Sequence, residues 1–284
     1  MVKIIRRVVI VLFGAAAALS VLAWIKSSGL NDTDGPEIVM DQDSISVNID
    51  CTDEELLAGI TATDKKDGDV TDSLVVEDMS NFIEKGRRQV TVAAFDKDNN
   101  VTKATREVVY NDYVSPRFSL GQPLRFDMNK DYDVSSLFQV QDCLDGNLSG
   151  DVTVKSDSYY ALGVSGECTM TFQVSNSAGD VVELPVTVEF YDSAEDNTAP
   201  KVELSEYLVY VSSGGQIDPM DYVAGMIDGG TFWELDDRNN PYDSDDIEIV
   251  NPVDTSVPGV YEISYTIPTE ESYQPKIRLI VIVE

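Results

Sequence analysis

Residues 60–71 read ITATDKKDGDVT, and this stretch decides how the rest of the chain is divided. Its aspartate-glycine core returns at residues 140–148 as VQDCLDGNL. Each copy is followed by a glycine, a segment that alternates apolar and polar residues, a turn, and a second segment of the same kind. Alternation with period two places one face of a strand on a core and the other in water. The repeat therefore predicts a β-sandwich that occurs more than once.

Equivalent positions in the repeat keep a nearly fixed spacing. Pro116 follows Pro36 by 80 residues, and Pro200 follows Pro116 by 84. The third copy is divergent, with extra length near residues 229–243. Several short strands at this spacing, separated by Asp, Asn and Gly turns, predict an all-β fold of tandem sandwiches. The predicted parts are an N-terminal tip, anchor and tether (1–34) and three modules (35–112, 113–195 and 196–284).

Composition excludes several classes of function. The chain has 284 residues, 20 Lys and Arg against 51 Asp and Glu, and a formal charge of -31, which argues against binding to nucleic acid. It contains no histidine, so catalysis by a Ser/His/Asp or Cys/His constellation is ruled out. An enzyme built on paired carboxylates is not singled out by any spacing. We expect a protein that is not an enzyme.

Three cysteines are too few for a disulfide framework. Cys143 and Cys168 fall in the same predicted module, so a single bridge between them is conceivable. The alternative is that Cys168 is an ordinary core residue, because it shares the alternation of Met170 and Phe172. The sequence leaves both open.

An uncharged apolar run occupies residues 8–25, close to the minimum length for a transmembrane helix, and Lys3, Arg6 and Arg7 precede it. Positive charge on this flank keeps the N-terminus in the cytoplasm and sends the remainder outside. We expect an uncleaved signal anchor in the cell membrane with an extracellular C-terminal region. A cleaved signal is the alternative, because Val21-Leu22-Ala23 has small residues at a suitable spacing.

The assembled pattern resembles the bacterial immunoglobulin-like repeats of surface proteins, such as the pesticidal crystal protein and DUF5011-type domains. Those repeats carry an A-T-D-x-x-D-G-D-[IV]-T stretch, matched here by Ala62–Asp64 and Asp67–Thr71. Their later G-x-Y-x-V-x-Y motif is matched by Gly259, Tyr261, Ile263 and Tyr265. The resemblance implies immunoglobulin-like β-sandwiches with spacing or adhesion roles, and it implies no shared catalytic residues.

Clustered carboxylates make calcium a candidate ligand, because hard cations prefer oxygen ligands. One candidate site is the marker stretch itself, and others lie at the junctions between modules, as in the acidic linkers of cadherin-type domains. The competing interpretation is that these residues form turns or solvated linkers. The candidate ligands are Asp64, Asp67, Asp69, Asp96, Asp98, Asp112, Asp192 and Asp196.

The extra segment of the third module carries Phe232, Trp233 and Tyr242 among acidic residues. Exposed aromatic rings on a loop could stack on sugars or anchor a protein partner. They could equally close the end of the core. We therefore predict a membrane-anchored bacterial surface protein with a structural, spacer or adhesive role that contacts a surface protein or cell-wall glycan. The alternative is an array of carbohydrate-binding modules.

Overall fold

The computed structural model describes residues 12–23, 33–155, 163–270 and 273–284. The chain forms two compact units, Met1–Tyr113 and Val114–Glu284. Both are built mainly from β-strands, as the alternating segments predict. Each unit is described by itself below.

Residues 12–23 form a helix, α1, whose side chains are exposed. They are the central part of the predicted anchor, while residues 8–11 and 24–25 lie outside the described residues. Within the described part of the chain, no helix has the length and apolar content needed to cross a bilayer.

The first unit has two sheets. The first is ordered β1-β3-β4 and the second β2-β7-β6-β5. The only parallel pair within these sheets joins β2 to β7. The elements are β1 (Glu37–Met40), β2 (Ser44–Val47), α2 (Asp53–Leu56), β3 (Ile60–Asp64), β4 (Gly68–Asp69), β5 (Val75–Met79), β6 (Arg87–Phe95) and β7 (Val101–Tyr110).

The core of the first unit follows the alternation read from the sequence. Val90, Val92 and Ala94 on β6 are fully buried and pack with Leu56 and Val108. Between β2 and β3 in the chain, α2 begins with a capping box, in which the Thr52 hydroxyl accepts a hydrogen bond from Glu55 N and the Glu55 carboxylate accepts one from Thr52 N. This short helix places Leu56 over the end of the core.

The first half of the second unit repeats this plan. Its sheets are ordered β11-β10-β8 and β12-β13-β14-β9. Met170, Phe172 and Val174 on β13 are buried, which confirms that they occupy the phase of Val90, Val92 and Ala94. The elements are β8 (Arg117–Leu120), β9 (Arg125–Asp127), β10 (Phe138–Asp142), β11 (Gly146–Asn147), β12 (Thr153–Val154), β13 (Gly166–Ser175), β14 (Val181–Tyr191) and α3 (Ser193–Asp196).

The second half of the unit also has two sheets, ordered β15-β17-β18 and β16-β21-β20-β19. The extra segment of the sequence contains β18, so Phe232 and Trp233 lie in a strand and not in a loop as expected. The elements are β15 (Lys201–Leu204), β16 (Leu208–Val211), β17 (Val223–Asp228), β18 (Thr231–Glu234), β19 (Glu248–Val250), β20 (Gly259–Thr266) and β21 (Ile277–Val283).

The two halves of the second unit, called its first and second sandwiches below, pack directly against each other. Their buried apolar residues belong to one continuous cluster, which runs from Phe118 and Phe172 in the first half to Tyr265 and Leu279 in the second. We refer to the surface where they meet as the junction. Strands pair within each half, and the two halves share one apolar core across the junction, so this unit is one block.

The three cysteines are unpaired, so the bridge left open for Cys143 and Cys168 is not formed. Cys168 is partly buried against the core, as its alternation indicated, and burial raises the pKa of its thiol. Cys143 is exposed, and its thiol lies 3.1 Å from the carbonyl oxygen of Val114. The fold does not depend on a disulfide.

Candidate functional site

The marker stretch forms a tight turn whose carboxylates hold the backbone. Asp64 is buried, and its Oδ1 accepts hydrogen bonds of 2.8 Å from the amides of Lys66 and Asp67. Gly68 follows with φ of +78°, a conformation that a side chain would strain. The aspartate and glycine of the motif therefore form the turn between β3 and β4.

Other carboxylates of the first unit also accept hydrogen bonds from backbone amides. Asp67 Oδ2 accepts a hydrogen bond of 3.0 Å from Lys97 N. Asp69 Oδ1 accepts one of 3.0 Å from Thr71 N, and the hydrogen bonds from Thr71 lower the pKa of Asp69. Asp112 Oδ1 accepts one of 2.9 Å from Ile49 N. These interactions stabilise loops of the sandwich.

Asp96 and Asp98 occupy the turn between β6 and β7. Asp96 Oδ1 accepts hydrogen bonds from Asp98 N (2.9 Å) and Asn100 N (2.7 Å). Asp98 forms an ion pair with Lys66. Lys66 lies within the marker stretch, between β3 and β4, so this pair connects the β6–β7 turn to the marker turn.

The second unit shows that this turn chemistry does not require a negative charge. Asp142 repeats Asp64 and accepts two amide hydrogen bonds of 2.9 Å. Asn147 stands where Asp69 stands in the first copy, and its amide oxygen accepts a hydrogen bond from Ser149 N at the same kind of distance, 2.9 Å. Asn176 likewise replaces Asp96 and accepts one of 2.9 Å from Asp180 N. An uncharged amide performs the same backbone function in two of the three positions.

No group of three or more acidic or cysteine side chains in the described ranges is arranged to hold a metal ion. The eight candidate aspartates have the partners given above or at the junction below. Calcium binding by these residues stays a prediction.

The junction of the second unit brings together the last two candidates, Asp192 and Asp196. Asp192 caps α3, since its Oδ1 accepts a hydrogen bond of 2.9 Å from Ala194 N. Asp196 is only 4% exposed. Its carboxylate lies against Arg125 and Lys201. A buried carboxylate is costly unless it is paired, and here two cations of the protein neutralise it.

Arg125 is the centre of this arrangement. Its side chain is 6% exposed, with Nε 2.7 Å from Glu189 Oε2 and Nη2 2.8 Å from Asp196 Oδ1. Nη2 also donates a hydrogen bond of 2.7 Å to Tyr273 Oη. The guanidinium carbon lies 5.0 Å from the centre of the Tyr191 ring. Planar guanidinium groups suit such many-sided sites because their donors form a rigid fork.

The charged groups of this cluster shift one another's pKa values. Burial acts to raise the pKa of Asp196, but Lys201 and Arg125 lower it more, and the net shift is downward. Burial acts to lower the pKa of Arg125, but Glu189 and Asp196 raise it more. Burial also raises the pKa of Tyr273, which therefore stays a neutral hydroxyl. Asp196 is held as a carboxylate and Arg125 as a guanidinium.

A second basic residue, Arg278 on β21, extends the cluster across the junction. Its guanidinium pairs with Glu167 of β13 and lies 3.5 Å from Glu262 of β20. Glu262 Oε1 in turn accepts a hydrogen bond of 2.5 Å from Thr187 N of β14. The two halves are therefore bridged at several adjacent points.

Another contact lies at the β8–β16 side. Arg117 forms an ion pair with Glu284, and its guanidinium carbon lies 4.5 Å from the centre of the Tyr210 ring. Phe118 N donates a hydrogen bond of 2.8 Å to Tyr210 Oη. The junction is therefore polar at both edges and apolar between them.

Basic residues are scarce in this unit, and most of them are at the junction. Residues 114–284 contain eight lysines and arginines. Five of these eight pair with carboxylates at the junction: Arg117, Arg125, Lys201, Lys276 and Arg278. Sequence reasoning missed this concentration, because no local pattern distinguishes Arg125 or Arg278 from a surface residue on a strand.

The three aromatic candidates of the extra segment differ in their surroundings. Phe232 is 49% exposed, whereas Trp233 and Tyr242 are partly buried, and Tyr242 packs against the core. Trp233 pairs across the sheet with the buried Met226. Phe232 lies on the opposite face, over Gly225, where a Cβ atom would come within 2.7 Å of the ring. The exposed aromatic platform is thus Phe232.

No protein-family model matches this chain, and its sequence matches no curated protein. Similar solved structures include the CBM51-2 domain with GlcNAc and the INT domains of Clostridium perfringens ZmpB, with 17% identity and a TM-score of 0.22 over 52% of this chain. Another is the protocadherin GammaB4 extracellular domain, with 13% identity and a TM-score of 0.19 over 89% of this chain. The chain spans 26% and 50% of the lengths of those two chains. Scores this low carry no argument about function.

Proposed function

We propose that this chain is a membrane-anchored bacterial surface protein whose immunoglobulin-like modules serve as a structural spacer or adhesive. In this proposal, residues 8–25 form a single-pass anchor and the β-sandwiches lie outside the cell. The partner is a surface protein or a cell-wall glycan. The marker motif supports the assignment to bacterial immunoglobulin-like repeats, and the acidic composition suits an exported surface domain.

The buried cluster around Arg125 is the observation that carries the structural role. A spacer or adhesive must hold its contact surface at a defined position, which requires a stiff connection between modules. Here the connection is a shared apolar core together with ion pairs that are nearly excluded from solvent. Buried charge pairs have strict geometric requirements, so they fix one relative arrangement of the two sandwiches.

The proposed function does not require calcium to keep this junction stiff. Arg125 and Lys201 already provide the positive charge that a cation would bring to Asp196. The test is a thermal melt of the full-length chain, with Trp24 replaced by Phe so that the fluorescence of Trp233 reports on the second unit. We expect the same melting temperature with calcium and with a chelator. A chelator-induced loss of stability would show that the junction uses a metal.

The calcium prediction for the marker and the first unit needs a separate measurement. Calorimetric titration of the full-length chain with calcium tests it, with Asp64→Asn and Asp96→Asn as variants. Loss of a binding event in these variants would support the site. Absence of heat in the parent chain would favour the turn-forming role that the hydrogen bonds already supply.

The anchor is tested by extraction and by protease treatment. We expect the chain to stay in membranes washed at alkaline pH and its β-sandwich units to be cleaved by protease added outside intact cells. A Leu19→Arg variant places a charge in the apolar run and should weaken retention, because charge at the centre of a membrane helix is costly. A chain released by washing, or an N-terminus at Trp24, would contradict the anchor.

Phe232 favours the second candidate function, an array of carbohydrate-binding modules. Its half-exposed ring on Gly225 gives a flat apolar surface of the kind on which a sugar ring stacks. Glycan-array binding by the full-length chain should be lost on Phe232→Ala. Phe95→Ala is the matched control, since Phe95 is an exposed ring on a strand of the first unit. If Phe232→Ala binds glycans as well as Phe95→Ala does, this candidate function is excluded.

The proposed role is not catalytic. A glycosidase that uses two carboxylates needs one acid with a raised pKa. Six carboxyl groups of the described residues have pKa values below their ordinary values. These groups are Asp69, Asp96, Glu107, Asp127, Asp196 and Asp254. Their shifts support a structural function for the carboxylates.

A further inference from the structure

A crevice of about 690 Å³ opens at the junction of the second unit, beside the Arg125 cluster. This volume lies within the range of small-molecule sites, which commonly form where two domains meet. The crevice is lined by parts of both sandwiches, namely the start of β13, the end of β14, the β19–β20 pair and the segment before β21. Its lining includes neither the residues of the marker turns nor Phe232.

The wall from the second sandwich is the outward face of the β19–β20 pair. Glu248 pairs with Thr266 and Val250 with Ser264, so these four side chains share one face and point away from the core. Ile249 and Tyr265 form the pair between them and face the core. The wall therefore presents two hydroxyl groups, one carboxylate and one apolar side chain.

The remaining lining adds groups of other kinds. Tyr273 contributes a ring whose hydroxyl is held by Arg125 and Glu189. Gln274 and Lys276 are exposed at the edge and provide an amide and an ammonium group. The wall of the first sandwich supplies Glu167 and the backbone around Gly166. Donors, acceptors and apolar surface alternate around the crevice.

Charge restricts the ligand. An anion is disfavoured, because the chain carries a charge of -31 and three glutamates line the crevice. A strongly cationic ligand is also disfavoured, because Glu189 is paired with Arg125 and Glu167 with Arg278. What fits is an uncharged molecule with many hydroxyl groups and apolar ring faces.

We propose that this crevice binds a neutral saccharide. Ser264 and Thr266 hydrogen-bond sugar hydroxyls, Glu248 accepts from them, and Val250 and the Tyr273 ring contact the apolar face of the sugar. This inference goes beyond the spacer role. If it fails, the proposed structural function is unaffected.

The test uses the full-length chain in a detergent without a sugar head group. The probes are the uncharged trisaccharides cellotriose, chitotriose and maltotriose, with trilysine and trigalacturonic acid as charged comparisons, measured by saturation-transfer NMR and calorimetry. We expect saturable binding of at least one uncharged probe. Removing two hydroxyls by Ser264→Ala/Thr266→Ala should weaken it by about tenfold.

The matched control is Thr91→Ala/Thr105→Ala, which removes two hydroxyls from a cross-strand pair of the first unit and should leave binding unchanged. A second variant, Thr266→Trp, should block the crevice, and its melting temperature checks that it is folded. The proposal is overturned if no uncharged probe binds, if both crevice variants bind as the parent does, or if trilysine is the probe that the crevice variants lose.

Discussion

Arg125 Nη2 and Asp196 Oδ1 lie 2.8 Å apart, and both side chains are almost excluded from solvent. Arg125 begins β9 of the first sandwich, and Asp196 ends α3, the connection to the second sandwich. The pair therefore fixes the linker onto the sandwich that precedes it. Glu189 and Tyr273 complete the environment of the guanidinium from a neighbouring strand and from the second sandwich.

Acid should weaken the second unit through Asp196. Its pKa is below the ordinary aspartate value in the folded protein, so the folded state binds its proton less tightly than the unfolded state. The resulting stability is present above the unfolded pKa, about 3.9, and is lost as the pH falls through the folded pKa. Denaturant midpoints followed by Trp233 fluorescence should fall over this range, and Asp196→Asn should flatten the dependence. An unchanged pH profile in Asp196→Asn would contradict the assignment.

A carboxylate and an amide should be interchangeable at the turn position that is occupied by Asp69 in the first copy and by Asn147 in the second. Asn147 Oδ1 accepts hydrogen bonds from both Ser149 N and Ser149 Oγ, at 2.9 and 2.6 Å, and Asp69 performs the first of these functions in the other copy. We expect Asn147→Asp to change the free energy of unfolding by less than about 0.5 kcal/mol. Asn147→Ala should cost about 1 kcal/mol, because it removes the acceptor. A larger loss for Asp than for Ala would show that charge matters at this turn.

A side chain at position 225 should disturb the β17–β18 pair. The Cβ of Gly225→Ala would lie 2.2 Å from the carbonyl oxygen of Trp233 and 2.7 Å from the Phe232 ring. Because the nearer atom is backbone, we expect a cost of about 1 to 3 kcal/mol and a red shift of Trp233 fluorescence. Adding Phe232→Ala relieves only the ring contact and should not restore stability. Full rescue by that second change would contradict the backbone clash.

Much of the fold was predictable from local patterns. Alternation placed Val90, Val92, Met170 and Phe172 on core faces, and all four are buried. Asp-Gly at the marker predicted tight turns, and Gly68 adopts the positive φ that such turns need. These features depend on neighbours within a few residues, which is why one sequence suffices to find them.

The junction could not be predicted in the same way. Arg125, Glu189 and Tyr273 are separated by up to 148 residues, and each resembles an ordinary surface residue of a strand or loop. Their roles follow only from how two sandwiches pack. The sequence singled out Phe232 and Trp233 as aromatic candidates on a loop. Their exposure depends on the strand β18, which could not be recognised among acidic residues and asparagines.

We infer that the two sandwiches of the second unit form one block that is held by cations of the protein itself. Two single-tryptophan proteins test it most directly. Trp233 reports on the second sandwich when Trp24 is replaced by Phe, and Tyr132→Trp reports on the first sandwich when both native tryptophans are replaced by Phe. Each is unfolded in denaturant with Arg125 intact and with Arg125→Met. Lys155→Met, which removes an exposed pair with Glu183, is the control and should cost at most about 1 kcal/mol.

We expect both tryptophans to report the same midpoint in the parent protein. Arg125→Met should lower both midpoints together, by about 3 to 5 kcal/mol in unfolding free energy, because Glu189 and Asp196 stay buried without the guanidinium and only Lys201 still pairs with Asp196. Separate midpoints in the parent protein, or an Arg125→Met variant as stable as Lys155→Met, would show that the two sandwiches are not one block held by Arg125.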